Sequence, residues 1–288
     1  MKLPLVFVWI LLVAMLDSAH SIGRSGSPKQ TNAQDLAANS PTCNHAPSKA
    51  DCEVGDMVLF NGLLCFSGQR IESCNFVQQS QDATGRFWRS PWRIGKDVEN
   101  SFSRDMALGV ILYGLATNDR QALTRFERFI EENDGLLCHD GTDSRCIARI
   151  GTEFMLARVL RNEEDRFGLC GALLIAHALL APVGYQLHLV AVQALIAREL
   201  GFPKTQELVG RILAWRDAQN PFFQMLANRQ KEAIEIAAAQ MSFGAIKKTQ
   251  WSLERDSAEE AYKTSMGWEF VFLTDLLQKQ AALTFPRL

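Results

Sequence analysis

Beyond its first 21 positions this 288-residue chain has no hydrophobic run long enough to cross a bilayer, so no transmembrane anchor is expected in the mature protein. An excess of either charge is missing too: 30 Lys and Arg stand against 32 Asp and Glu, a formal net charge of -2. Nucleic acid is therefore not an expected partner, because a polyanion calls for a concentrated basic face. No Cys-x-x-Cys spacing occurs, and only His45 and His139 lie near the six clustered cysteines, which argues against a zinc site. A Gly-x-Ser-x-Gly elbow is absent, which sets aside an acyl hydrolase. Alternation of apolar and polar residues is nearly absent as well, which leaves an all-α class.

What is present begins with Lys2, an apolar run from Leu3 to Leu16, and the small-residue site Ala19-His20-Ser21. This pattern predicts a secretory signal peptide over residues 1–21 and a secreted or periplasmic protein. Residues 22–50, rich in Ser, Asn, Pro and Gly, are expected to form a disordered or loosely attached leader. Residues 51–288 are long enough for a single helical domain. Six of the seven cysteines fall into close pairs, Cys43 with Cys52, Cys65 with Cys74 and Cys138 with Cys146. Local disulfides are expected, since each closes a short loop in an oxidising compartment. Cys170, on an apolar segment, is expected to be a buried small hydrophobe.

Helical periodicity fills most of the remainder. The stretch 97–117 runs from a charged entry into a long helix, with Phe102, Met106, Gly109, Val110 and Tyr113 on one face. Ser101 or Ser103 is the expected cap of this helix. Asn118-Asp119 caps a helix over 119–132 whose buried stripe is Leu123, Phe126, Phe129 and Ile130. Residues 168–200 read as two strongly apolar helices broken at Pro182-Val-Gly184, enclosed by neighbours on several sides. Further helices are expected over 204–218, 222–242 and 257–280, the last with Glu269 at the edge of its apolar stripe. Pro221 after Asn220 marks a helix start.

Chemistry is concentrated at loop-to-helix junctions. Ser101-Phe-Ser-Arg104-Asp105 is echoed by Ser252-Leu-Glu254-Arg255-Asp256. Asp105, Glu254 and Asp256 are the candidate catalytic carboxylates, with Arg104 and Arg255 tuning their acidity or orienting a substrate. Alternatively Asp105 only complements the positive end of a helix dipole. Before the first junction, Arg86, Trp88, Arg89, Trp92 and Arg93 alternate cations with aromatics inside Gly and Pro punctuation. Such a loop can stack on sugar rings and hold carboxylates or phosphates in forked hydrogen bonds, or be tied down by its own packing, with arginines pairing to Asp82, Asp97 or Glu99. His188, following Tyr185, is the better of two helix histidines for lining a cavity; His177 is expected to be structural. Asp134, Asp140 and Asp143 lie in a loop that could hold calcium. The twelfth-position Glu of an EF-hand is missing, however, and no cofactor is expected.

Helix hairpins in series, with aromatic, Arg and carboxylate residues at the junctions, resemble the secreted (α/α) toroid enzymes, the six-hairpin glycosidases and related polysaccharide lyases. The likeness runs over about residues 95–280 and implies a partial toroid or an irregular helical bundle. The runs FNGLLC, FSRDM and QWSLERD also resemble an uncharacterised bacterial exported family, which implies export but no particular activity. From the toroid likeness follows an exported carbohydrate-active enzyme acting on an envelope or extracellular polysaccharide. A hydrolase would use two carboxylates flanking the glycosidic bond. A lyase would use a base such as His188 or Tyr185 and an arginine against a uronate. The alternative is a non-catalytic exported binding or envelope-interaction protein with the Arg-Trp loop as its adhesive patch.

Overall fold

The computed structural model describes residues 37–38, 40–48, 52, 57–68, 70–96, 102–138, 150–161, 167–182, 184–240 and 266–284. Among them the fold is all-α, eleven α-helices with one short hairpin. The central element is α1 (Met57–Gly68), in which every residue from Met57 to Ser67 is buried. Its sequence, MVLFNGLLCFSG, carries no charge on any side, so it can be enclosed all round. The neighbours enclosing it are α2 (Ile71–Gln79), α3 (Arg104–Thr117) and α11 (Met266–Thr284).

The α1–α3 crossing is made by two glycines. A Cβ on Gly62 would overlap the Gly109 backbone, and one on Gly109 would overlap the Val58 carbonyl and Leu59. Backbones therefore touch where side chains would ordinarily hold helices 8–10 Å apart. Cys65–Cys74, with an S–S distance of 2.06 Å, ties α1 to α2. At the end of α1, Lys279 of α11 donates to the Phe66 carbonyl at 3.2 Å, and Arg70 pairs with Asp275 at 2.9 Å.

In α3 the expected face of Phe102, Met106, Val110 and Tyr113 is buried, and so are Leu108 and Leu112. Ser103 occupies the N-cap position without a side-chain cap hydrogen bond. Next comes α4 (Arg120–Glu132), capped by Asp119, which accepts from the Ala122 amide at 3.0 Å and from the Tyr113 hydroxyl at 2.6 Å. Its buried residues include Leu123, Phe126, Phe129 and Ile130, the stripe read from periodicity. After α5 (Ile150–Arg161) come α6 (Phe167–Leu180) and α7 (Tyr185–Glu199), parted at Pro182 and Gly184. A second packed group follows from α7 with α8 (Pro203–Arg216) and α9 (Pro221–Leu226), which meets the first through α3 and α11.

Four expectations need correction. The single helix over 222–242 is instead α9 followed by α10 (Gln230–Gln240). Asn228, at φ 61°, makes the break, and the Arg229 amide closes it by donating to the Gln224 carbonyl at 2.9 Å. Asn tolerates the left-handed region at little strain, which no helical periodicity reveals. The leader is not loose throughout. Thr42–Cys43 pairs with Ala46–Pro47 around Asn44 and His45, both at positive φ, as a tight hairpin turn of this twist requires. Trp268 holds this hairpin by donating to the Pro41 carbonyl at 2.6 Å, Asn61 by donating to the Pro47 carbonyl at 3.2 Å, and the Cys43–Cys52 disulfide adds a covalent tie. Glu269 is buried and not at an edge. Finally, among its described side chains α6 is covered along one stripe only, with Leu173, Leu179 and Leu180 outside.

Cys138 is also in a disulfide; its expected partner Cys146 lies outside the described residues. Cys170 is a thiol and half-buried. No helix among the described residues is long and apolar enough to cross a membrane, and the disulfides fit an oxidising compartment.

Candidate functional site

Two helix starts far apart in sequence meet at one hydrogen bond. Asp105 stands in the first turn of α3, where unpaired backbone N–H groups favour a carboxylate. Tyr185 opens α7 immediately after Gly184, whose φ of 100° turns the chain back from α6. The Tyr185 hydroxyl donates to Asp105 Oδ2 at 2.6 Å, bridging 80 positions of sequence in a half-buried setting. A charge-assisted O–H to carboxylate bond of this length lies in the short range for such pairs. The phenol proton is thereby committed to Asp105, and the carboxylate is positioned as an acceptor.

One turn along α7, His188 is buried, and its ring centroid lies 5.9 Å from that of Phe222 on α9. Phe222 in turn packs edge-on against Phe272 of α11 at 5.3 Å. Glu269 lies one turn before Phe272 on α11. His188 therefore belongs to an apolar wall that runs from α7 through α9 to α11. Asn220 fixes α9 in that wall, since its Oδ1 accepts from the Phe222 and Phe223 amides at 3.1 and 3.3 Å.

The Arg-Trp loop is joined to the same helix start. Phe87 stacks on Phe102 with centroids 6.3 Å apart, and both pack edge-on against Phe126 of α4, which anchors the loop beside Arg104 and Asp105. Gln81 pins the loop to α4 by donating to the Ala122 carbonyl at 2.8 Å. Within the loop Trp88 is buried, its Nε1 donating to Asp82 at 2.7 Å, and the buried Arg86 guanidinium lies 3.8 Å above the Trp88 ring. Both Trp88 and Arg86 are thus occupied by the protein itself, and the ring face expected to stack on a sugar carries Arg86. Trp92 packs edge-on against Phe76 at 5.5 Å. Arg89, Trp92, Arg93 and Arg104 keep partial exposure.

Of the residues singled out in the sequence, the structure joins Asp105 to Tyr185 directly and ties loop 86–93 to the start of α3 through Phe87 and Phe102, while His188, one turn beyond Tyr185, packs on Phe222. Glu254, Arg255 and Asp256 lie outside the described residues, as do Asp140 and Asp143. Among the described residues no group of three or more His, Cys, Asp or Glu side chains is arranged to hold a metal. His177 is exposed on α6, not within the core. Missing from the sequence reading were the pairing of Tyr185 with Asp105 and the burial of Glu269. The only prior signal for the first was that both residues open a helix. No protein-family model, curated protein or solved structure matches the chain.

Proposed function

We propose that the chain is an exported carbohydrate-active enzyme of toroid-like type that acts on an envelope or extracellular polysaccharide. The 2.6 Å hydrogen bond from Tyr185 to Asp105 carries the assignment. A hydroxyl donor held on a half-buried carboxylate fixes how that group is aimed, as the base or nucleophile at an anomeric carbon must be aimed. A carboxylate from the 254–256 segment, Glu254 or Asp256, supplies the acid. Arg104 and Arg255 flank the two carboxylates, and Arg89, Trp92 and Arg93 form the substrate-facing part of the loop.

The Tyr185 bond also weighs between the hydrolase and lyase mechanisms. A lyase base removes a proton from carbon, and a phenol that already donates to Asp105 is badly placed to accept one. Hydrolysis is therefore favoured over elimination by Tyr185, while His188 remains the base to test for elimination. Against the binding-protein alternative stands the burial of Arg86 and Trp88, which removes the centre of the adhesive patch that it requires.

The test is release of reducing or unsaturated ends from a panel of neutral and acidic glycans, with melting temperature followed in parallel. Asp105→Asn and Glu254→Gln should abolish turnover in protein that still folds. Tyr185→Phe should lower kcat by about tenfold to a hundredfold, the equivalent of the ~1.5–3 kcal/mol of a hydrogen bond to a charged group. Unsaturated ends lost on substitution of His188 would select the lyase mechanism. A wild type that releases nothing from any glycan would move the binding-protein alternative ahead, and variants that keep full activity would overturn the assignment of these residues.

A further inference from the structure

We infer that the Cys43–Cys52 disulfide is a thiol-sensitive latch: a dithiol opens it while Cys65–Cys74 stays closed, and the hairpin of Thr42–Cys43 and Ala46–Pro47 then lifts from α1 and α11. Both disulfides span a sequence separation of 9, so access to sulfur, not loop length, sets them apart. Cys65 is 0% and Cys74 9% exposed, whereas Cys52 is exposed and only its partner Cys43 is buried. An attacking thiolate must reach a sulfur, and among the described disulfide cysteines only Cys52 stands at the surface.

Apart from this bond, the hairpin is held by small contacts. Its strands are Thr42–Cys43 and Ala46–Pro47, far too short for a sheet that stands alone in water. The side chains that it buries, Cys43, Ala46, Pro47 and Ser48, are small, and its backbone is held from outside by Trp268 at the Pro41 carbonyl and Asn61 at the Pro47 carbonyl. Ordering the whole stretch 41–48 outweighs hydrogen bonds of this kind, so the covalent tie decides whether the hairpin stays. Cys52, at φ 54°, is also held in a left-handed backbone that a residue with a side chain rarely takes, and it relaxes once the ring opens.

The place that the hairpin covers makes its departure consequential. Asn61 is fully buried in the uncharged helix α1, and its Nδ2 donates to the Pro47 carbonyl and to the Met57 carbonyl of its own helix. Lifting the hairpin removes the Pro47 acceptor and admits water to the middle of α1. Because α2 packs on Ala46–Pro47 and Trp268 is buried at the start of α11, the opening falls where α1, α2 and α11 meet. In the exchange, a thiolate of the dithiol attacks Cys52 Sγ, the S–S bond breaks, and Cys43 leaves as a thiolate that takes a proton from solvent. The second thiolate of the dithiol then displaces Cys52 from the mixed disulfide, so that both cysteines end reduced and the dithiol ends oxidised. The chain is thus fully closed only where disulfides persist.

The experiment treats the full mature chain, without denaturant, with a graded series of dithiothreitol, then quenches with an alkylating agent and reads each cysteine by peptide mass. Cys43 and Cys52 should be labelled at least about tenfold faster than Cys65 and Cys74. Hydrogen exchange on the same samples should show lost protection at the Ser48 amide, which donates to the Pro41 carbonyl at 3.0 Å, with α3 and α4 unchanged. Replacing Cys43 and Cys52 together by Ser should give the same exchange pattern without reductant and keep the helical circular dichroism. Labelling of all four cysteines at one rate would overturn the inference, since reduction would then follow global unfolding. A Ser48 amide that stays protected after Cys43–Cys52 is reduced would overturn it as well, and so would loss of the helical signal in the double variant.

Discussion

At the scale of single residues, helix position alone gives Asp105 one stabilising role, and Tyr185 adds a second. Periodicity placed Asp105 in the first turn of a helix, because that needs only the spacing of its own neighbours. Its partner was illegible, since nothing local says which of several helix starts will be adjacent in space. Glu269 was misplaced for a related reason: an isolated stripe assigns a carboxylate to its edge, whereas neighbouring helices decide what is covered. Asp217, after α8, offers a test of burial itself. Desolvation holds its carboxyl above the ordinary range, although the Gln219 amide and the Asn220 side chain pull the other way. A raised folded pKa means that the folded state binds the proton more tightly, so stability is lost as pH climbs from about 4 through the shifted value. Asp217→Asn should therefore raise the melting temperature at neutral pH and flatten its decline between acid and neutral conditions. Cys170 is likewise pushed up by burial, so thiol labelling of the native protein should be slow at neutral pH and quicken in alkali.

At the scale of elements, the helices that periodicity described well are those with one apolar stripe, such as α4. It described poorly those whose apolar residues run all the way round. In α1 and α6 the composition is alike, uncharged and apolar, yet one is enclosed on every side and the other on a single stripe. Composition says that such a helix wants cover without saying how much of it the same chain provides. Within α1 and α3 the decisive residues are the smallest. Gly109→Ala introduces one methyl where the Val58 carbonyl already lies, and neither backbone can yield without moving a central helix. A loss of about 1–3 kcal/mol is expected, read as a lowered urea midpoint at unchanged slope. A glycine inside a helix reads in sequence as a mild weakness, so this crossing was not foreseeable from spacing.

At the scale of the whole molecule, the helical class and the Cys43–Cys52 and Cys65–Cys74 pairings were legible, because both rest on local order. Replacing Cys65 and Cys74 together by Ser should lower stability by roughly 2–3 kcal/mol, the range for a short closed loop, with the fold retained by circular dichroism. The docking of the hairpin was not legible, since the hydrogen bond from Trp268 to Pro41 spans 227 positions. That span sets a schedule for the nascent chain. Thr42–Cys43 and Ala46–Pro47 leave the ribosome first, and the indole that receives them is made roughly 10–45 s later at about 5–20 residues per second. The same delay leaves α1 without α11 along one flank, so an uncharged, fully buried helix of the core waits for its last wall. During this interval the chain is a ready client for a holding chaperone, and truncation before Trp268 should yield aggregates instead of a smaller folded body.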